Sequence, residues 1–219
     1  MTIPSIIHQT YKNEDLPEVY QMCQNIIKEI HPDFEYCFYN DDAIDNIVKN
    51  EFPEYYERFN KLPKMILKIN VFKYFLMYKY GGIYIDMDYL MFKKFDIRNY
   101  TLVLPCNNEG FLKTPISFGD CILASEPNHC FWKLVINNIF NNINYDDDFD
   151  EEKIKSITGN KILFSMYEKY SKLKSDIHIT ERYLFHPISN NNEEYIQEIK
   201  NNGSYGMHLC SNLWKIYAD

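Results

Sequence analysis

The hydrophobic and polar positions along this chain predict short strands alternating with longer helices. Residues 3–9 (IPSIIHQ) form a β-branched run that reads as a first strand. Residues 16–30 carry apolar side chains at helical spacing, with Pro17 in a first-turn position and an end at His31-Pro32. Residues 34–39 (FEYCFY) read as a second strand, and Asn40-Asp41-Asp42 caps a helix running to about residue 50. This opening predicts an α/β fold built on a largely parallel sheet.

The strongest helical pattern spans 64–79, where Met65, Ile69, Phe72 and Leu76 share one face and Lys64, Lys68 and Lys79 lie largely elsewhere. Gly81-Gly82 ends it in the manner of a C-cap that needs positive φ. The strand Ile83-Tyr84-Ile85 then leads directly into Asp86-Met87-Asp88. Further strands are predicted at 102–106, 116–124, 177–180 and 205–209, and further helices at 128–142 and 160–172. The charge run 146–152 (DDDFDEE) reads as a solvated loop, and the Asn-rich patches at 190–192 and 201–202 as surface loops. With no internal repeat and no second linker, residues 1–219 read as a single domain.

Composition narrows the function. The net charge is -8 and Lys and Arg form no cluster, which argues against nucleic acid and against an anionic membrane surface. A hydrophobic content of 46% supports a sizeable core. The six cysteines have neither C-x-x-C nor zinc-finger spacing, so they read as small buried thiols rather than a disulfide framework. Residues 1–10 lack a signal-peptide pattern and no apolar run is long enough to span a bilayer, so the expected location is cytoplasmic.

Candidate chemistry centres on Asp86 and Asp88. In a strand, residues two apart point to the same side, so these carboxylates converge where the strand ends. Two such groups repel unless a cation or proton lies between them, and oxygen ligands favour hard divalent ions that also bind phosphates. The carboxyl end of a strand in an α/β sheet is where ligands bind. A bare D-x-D recurs by chance, and its setting after a helix, a Gly-Gly stop and a buried strand is what gives it weight here. No Ser/His/Asp triad or phosphate-binding glycine loop is recognisable, and hydrolytic sugar-cleaving acids must flank the sugar rather than share one strand end. Among the histidines, His8 stands open between a core residue and a nucleotide contact, and His129 reads as structural. Tyr11, near the end of the first strand, is placed to stack on a base.

The run Asn70-Val71-Phe72-Lys73-Tyr74 followed by Tyr80-Gly81-Gly82-Ile83-Tyr84-Ile85-Asp86-Met87-Asp88 closely resembles the "D-x-x-R-Y…Y-G-G-x-Y-x-D-x-D" signature of glycosyltransferase family 32. That family includes fungal α-mannosyltransferases and is related to large bacterial glucosylating toxins. Ile3 to Tyr11 resembles its opening strand, Ala124 to His129 its "A-S-x-P-x-H", Thr158-Gly159-Asn160 its "T-G-P", and His208 and Trp214 the ends of its "H-x-W-x-x-S-W". The resemblance implies a GT-A fold, a Rossmann-like nucleotide-diphospho-sugar transferase domain. It also implies a UDP- or GDP-sugar donor, Mn²⁺ or Mg²⁺, retention of anomeric configuration, and a glycan, protein or lipid acceptor. By the same resemblance Asp86 meets the donor ribose or sugar, Asp88 ligates the metal, His208 completes its shell or meets the diphosphate, and the Trp214 indole donates to a phosphate oxygen. The two donor-sugar readers, Asp and Arg in the family, are here Asn70 and Lys73, and Asp120 stands where the family often has Asn. Lys lacks the planar fork of Arg. The departures at Asn70 and Lys73 leave a catalytically weak sugar-nucleotide-binding relative open beside a working transferase, as the carboxylate pair leaves open a nucleotide or phosphodiester hydrolase.

Overall fold

The computed structural model describes residues 2–97, 99–108, 117–171, 176–188 and 192–211. The first half runs β1 (Ile6–Thr10), α1 (Glu18–Ile30), β2 (Glu35–Tyr39), α2 (Asp41–Glu51), α3 (Pro53–Asn60), α4 (Met65–Lys79), β3 (Gly82–Ile85) and β4 (Tyr89–Met91). The second continues with β5 (Leu102–Pro105), β6 (Ile122–Ser125), α5 (Cys130–Asn142), α6 (Glu151–Ile157), α7 (Asn160–Ser171), β7 (Ile177–Thr180), α8 (Arg182–Phe185), α9 (Glu193–Asn201) and β8 (Gly206–His208).

Among the described residues six strands form one sheet in the order β2-β1-β3-β6-β5-β7. Strand β1 pairs in parallel with β2 and β3, β5 pairs in parallel with β7, and β6 alone runs against its neighbours β3 and β5. The carboxyl ends of β1, β3, β5 and β7 therefore lie at one edge, and β6 begins there. A separate antiparallel ribbon joins β4 to β8.

Because side chains alternate across a strand, the sheet divides two cores. Tyr84, Leu102, Leu104 and Leu123 face a layer that includes Val48, Phe59, Phe75, Trp132 and Leu163 from the helices of one side. Ile7, Ile83, Ile85, Val103 and Ile122 face Ile27 of α1, Met91 of β4 and Phe185 of α8 on the other. The expected α/β architecture with a mostly parallel sheet is present.

Helix α4 departs from its amphipathic reading. Leu67 and every residue from Asn70 to Met77 are buried, whereas Met65, assigned to the apolar face, is 37% exposed and Ile69 half-buried. The helix packs on α5 and on strands β3 and β6 together, so no face of its middle is left for water. Its end follows expectation. Gly81 and Gly82 have φ of +65° and +85°, and a Cβ there would stand 2.5 Å from the Ser125 carbonyl and 2.6 Å from that of Ile6. Only glycine fits both the conformation and the space.

Several local expectations need correction. The charge run is not wholly loop. Asp150 caps α6 by accepting from the Lys153 amide at 2.7 Å, and Glu151 and Glu152 occupy its first turn, where the helix dipole favours carboxylates. The strand expected at 116–124 is shorter and later, at Ile122–Ser125, preceded by an isolated Cys106–Phe118 bridge. Helices α3, α8 and α9 and strand β4 were not anticipated. The second Asn-rich patch caught the end of α9, and Asn192 caps its start. All six cysteines are free, yet Cys130 and Cys210 are exposed and Cys37 is half-buried, contrary to a uniformly buried set. No helix among the described residues is long and apolar enough to cross a membrane.

Candidate active site

Asp86 prolongs β3, its amide donating to the Cys121 carbonyl at 2.7 Å in the pairing with β6. The chain then turns, with the Tyr89 amide bonded to the Asp86 carbonyl at 3.1 Å. The carboxylates of Asp86 and Asp88 thus converge across a β-turn and not along a continuous strand, which corrects the sequence reading of how they meet. Gln9 of β1 steadies the turn by donating to the Asp86 carbonyl at 3.3 Å.

The two carboxylates have different partners. Asp86 Oδ1 lies 3.0 Å from Lys73 Nζ, which also donates to the Asp120 carbonyl at 3.4 Å and sits 4.9 Å from the Tyr84 ring centroid. Burial raises the Asp86 pKa and Lys73 pulls it back. Burial likewise works against the Lys73 charge, but Asp86, Tyr84 and Asp120 outweigh it and hold the ammonium well above its ordinary range. Asp88 is buried and accepts at Oδ1 from His208 Nε2 at 2.8 Å, and at Oδ2 from the Ser211 amide at 2.9 Å and hydroxyl at 2.8 Å. Burial opposes its charge, yet these bonds to His208 and Ser211 lower its pKa to about 2. The His208 imidazole, despite burial, is raised by Cys121, Asp88 and Cys210 around it.

What brings His208 to Asp88 is the ribbon, in which Tyr89 pairs with His208 and the Leu209 amide bonds the Asp88 carbonyl at 2.9 Å. One ligand atom from each of Asp86, Asp88 and His208 lies within 4.8 Å of the others. Two carboxylates and an imidazole at that separation fit a divalent cation of the oxygen- and nitrogen-binding kind.

The other predicted positions divide. Lys73 and Asp120 belong to the same cluster. Asn70 is one helical turn before Lys73, but its amide donates to Thr158 Oγ1 at 3.2 Å, and no hydrogen bond among the described residues ties it to Asp86 or Asp88. Tyr11 packs edge-on against Tyr20, with ring centroids 5.4 Å apart, in a small cluster with Leu16 and Met87 of the turn. Trp214 lies outside the described residues. His8 is structural: its Nε2 bonds the Gly81 carbonyl at 2.8 Å and its Nδ1 the Tyr39 hydroxyl at 2.9 Å. His129 caps α5 through Nδ1, 3.3 Å from the Phe131 amide.

A family profile described as "glycosyltransferase sugar-binding region containing DXD motif" matches residues 17–104. Residues 17–104 thus resemble a glycosyltransferase sugar-binding region. This sugar-binding region includes α4, β3 and the Asp86–Asp88 turn, and the match bears out the resemblance read from the motifs. Inositol phosphoceramide mannosyltransferase 2 of Schizosaccharomyces pombe is 31% identical over 140 residues, covering 64% of this chain and 39% of that one. An uncharacterized glycosyltransferase of Acanthamoeba polyphaga mimivirus is 28% identical over 199 residues, covering 88% of this chain and 76% of that one. The chain thus spans about two fifths of the first relative's length. Among solved structures, the PaToxG glycosyltransferase superposes with a TM-score of 0.61 at 13% identity, over 78% of this chain and 70% of that one. The ligand-free glycosyltransferase domain of the YGT toxin gives 0.56 at 9% identity, over 82% and 80%. At such identities the likeness concerns the fold, which is the GT-A arrangement.

Three neighbours of the sugar-binding region's turn were missed from sequence. Ser211 supplies both bonds to Asp88 Oδ2 and also pairs with Tyr20 Oη at 3.0 Å. Its place three residues after His208 was the available signal. His186 and Cys121 had none: a lone His after a short helix and a Cys before a strand look like core residues. In the fold the His186 ring lies on Gly119, where a Cβ would overlap it, with Nδ1 3.6 Å from Cys121 Sγ.

Proposed function

We propose that this chain is a retaining glycosyltransferase that moves a hexose or N-acetylhexosamine from a UDP- or GDP-sugar to an acceptor hydroxyl. The convergence of Asp86, Asp88 and His208 at the end of β3 carries this reading. Asp88 and His208, with Asp86 beside them, would hold Mn²⁺ or Mg²⁺, whose chemistry is to neutralise the departing diphosphate. Asp86, oriented by Lys73, accepts from a donor hydroxyl, and the Lys73 ammonium keeps positive charge beside the leaving group. Tyr11 stacks on the base and Trp214 donates to a phosphate oxygen. Asp120 and Asn70 line the sugar side. The acceptor hydroxyl attacks the anomeric carbon from the face the diphosphate leaves, and the departing phosphate oxygen takes its proton, so configuration is retained without a protein nucleophile. The mannosyltransferases among the relatives support mannose as the first sugar to try.

The test is a screen of UDP- and GDP-linked sugars for Mn²⁺-dependent release of nucleoside diphosphate. Release confined to particular sugars is the expected result. Nucleotide cleavage indifferent to the sugar points instead to a hydrolase, and metal-dependent binding with no turnover across the panel points to a binding relative. Either result removes the proposal.

A further inference from the structure

A second feature stands at the same edge of the sheet. A cavity of about 500 Å³ opens between the segment after β5, helix α8 with its following turn, and α9. That volume is in the range of small-ligand sites. Asn108 follows the end of β5 by three residues and Glu181 follows β7 by one, just as Asp86 follows β3 by one. In the strand order β3-β6-β5-β7 the cavity lies two to three strands from Asp86, on the order of 10–15 Å at the usual strand spacing.

His186 links this cavity to the candidate active site. Its carbonyl accepts from Nε of the lining residue Arg182 at 3.1 Å. Its ring turns the other way, onto Gly119 and Cys121, within the electrostatic reach of His208 and Asp120. The cavity and the Asp86–Asp88 turn are therefore connected at one edge of the sheet by the contacts Arg182–His186, His186–Cys121 and Cys121–Asp86.

The lining indicates what would fill it. Two tyrosine rings, Tyr183 at 47% exposure and the half-buried Tyr195, offer flat apolar faces with polar tips. Glu181, Glu198 and Asn108 offer acceptors for hydroxyl groups. Among the described lining residues one cation, Arg182, stands against those two carboxylates, so their formal charge is negative. A phosphate-bearing ligand would meet that charge unfavourably, whereas a pyranose has apolar C–H faces for the rings and hydroxyls for the carboxylates.

We propose that this cavity binds the acceptor, and that the acceptor is a neutral saccharide or glycoside. The proposal rests on the glycosyltransferase reading for its biological sense but not for its test. Binding is measured by equilibrium titration without donor or metal, using a panel of neutral methyl glycosides and disaccharides with inositol 1-phosphate as the anionic arm. At least one neutral member should bind, with affinity falling tenfold or more in Tyr183→Ala and Tyr195→Ala and severalfold in Glu198→Gln, while the thermal midpoint of each variant stays near that of the parent. In a transfer assay the same variants should raise the acceptor KM by similar factors and leave Mn²⁺-dependent donor hydrolysis unchanged. Tighter binding of inositol 1-phosphate than of every neutral member, no binding by the panel, or undiminished affinity in folded variants would overturn it. Absence of donor hydrolysis in the parent would count against the transferase reading alone, since the titration needs no donor.

Discussion

The two carboxylates of the Asp86–Asp88 turn stand two residues apart and are held by different parts of the chain, one near in sequence and one far. Asp86 is paired by Lys73, thirteen residues earlier on α4, within the matched sugar-binding region. Asp88 is paired by His208 and Ser211, about 120 residues later, outside it. The first pairing needs only one helix, one Gly-Gly turn and one strand. The second needs the β4-β8 ribbon to close. The proposed sugar-side carboxylate is thus held by local structure, whereas the candidate cation site is complete only when the far part of the chain docks.

The sharpest way to break the second half of this arrangement is Asp88→Ala. It removes a proposed ligand and leaves the Ser211 amide and His208 without their acceptor. Mn²⁺-dependent donor hydrolysis is expected to fall at least a thousandfold, about 4 kcal/mol of transition-state stabilisation. A steady-state assay on the responsive donor decides it, and full retained activity would end the metal-site assignment.

Lys73→Met attacks the first half. The Lys73 side chain is 5% exposed and that of Asp86 25%, so the change leaves a largely desolvated carboxylate without its cation. Removing one member of such a pair costs about 3–4 kcal/mol. Urea unfolding should show the loss, and Lys73→Arg, which keeps the charge, should recover most of it. If Lys73→Met unfolds at the parental midpoint, the ion pair does not hold the turn.

How much of this was legible follows the same division. The Gly81-Gly82 stop, β3 and the carboxylate pair are contiguous, so residue type and spacing alone located them. The role of α4 was misread because a helix buried on every side has no polar face to reveal its orientation; Lys73 was singled out through the family resemblance, but its pairing with Asp86 shows only in the fold. Ser211, signalled only by its nearness to His208, and His186, with no signal, were missed for another reason: their partners lie across the ribbon and the sheet, and no local pattern encodes a contact over such separations. The ribbon itself rests on three-residue strands, too short for alternation to register.

A gentler probe of the first half is pH. His8 fastens β1 to the Gly81 carbonyl, and its Nδ1 accepts from the Tyr39 hydroxyl, a bond that only the neutral ring can make. Burial, partly offset by the Gly81 carbonyl, lowers its pKa to about 4 from an ordinary 6.5. Stability from the neutral ring is complete above pH 6.5, declines as the unfolded chain protonates, and is lost as pH falls through 4. The change is at most about 3 kcal/mol. His186, lowered to about 4 by burial and by His208, adds a parallel loss. The difference in unfolding free energy between pH 7 and pH 4.5 should therefore drop by about half of this histidine contribution in His8→Gln. An unchanged pH dependence would show that His8 titrates normally.

The smallest expected effect joins the two halves. Tyr20, on α1 in the sugar-binding region, packs its ring against Tyr11, Leu16 and Met87 and bonds its hydroxyl to Ser211, which in turn holds Asp88. Tyr20→Phe keeps the packing and removes one hydrogen bond, a loss of about 1 kcal/mol. If Ser211 transmits that loss to Asp88, the apparent Mn²⁺ affinity should fall about fivefold while the urea midpoint hardly moves. A loss of stability with unchanged Mn²⁺ affinity would mean that Tyr20 only anchors the C-terminal segment. Asp88 would then depend on the ribbon alone, and the two parts of the chain would be coupled through β4 and β8 without help from α1.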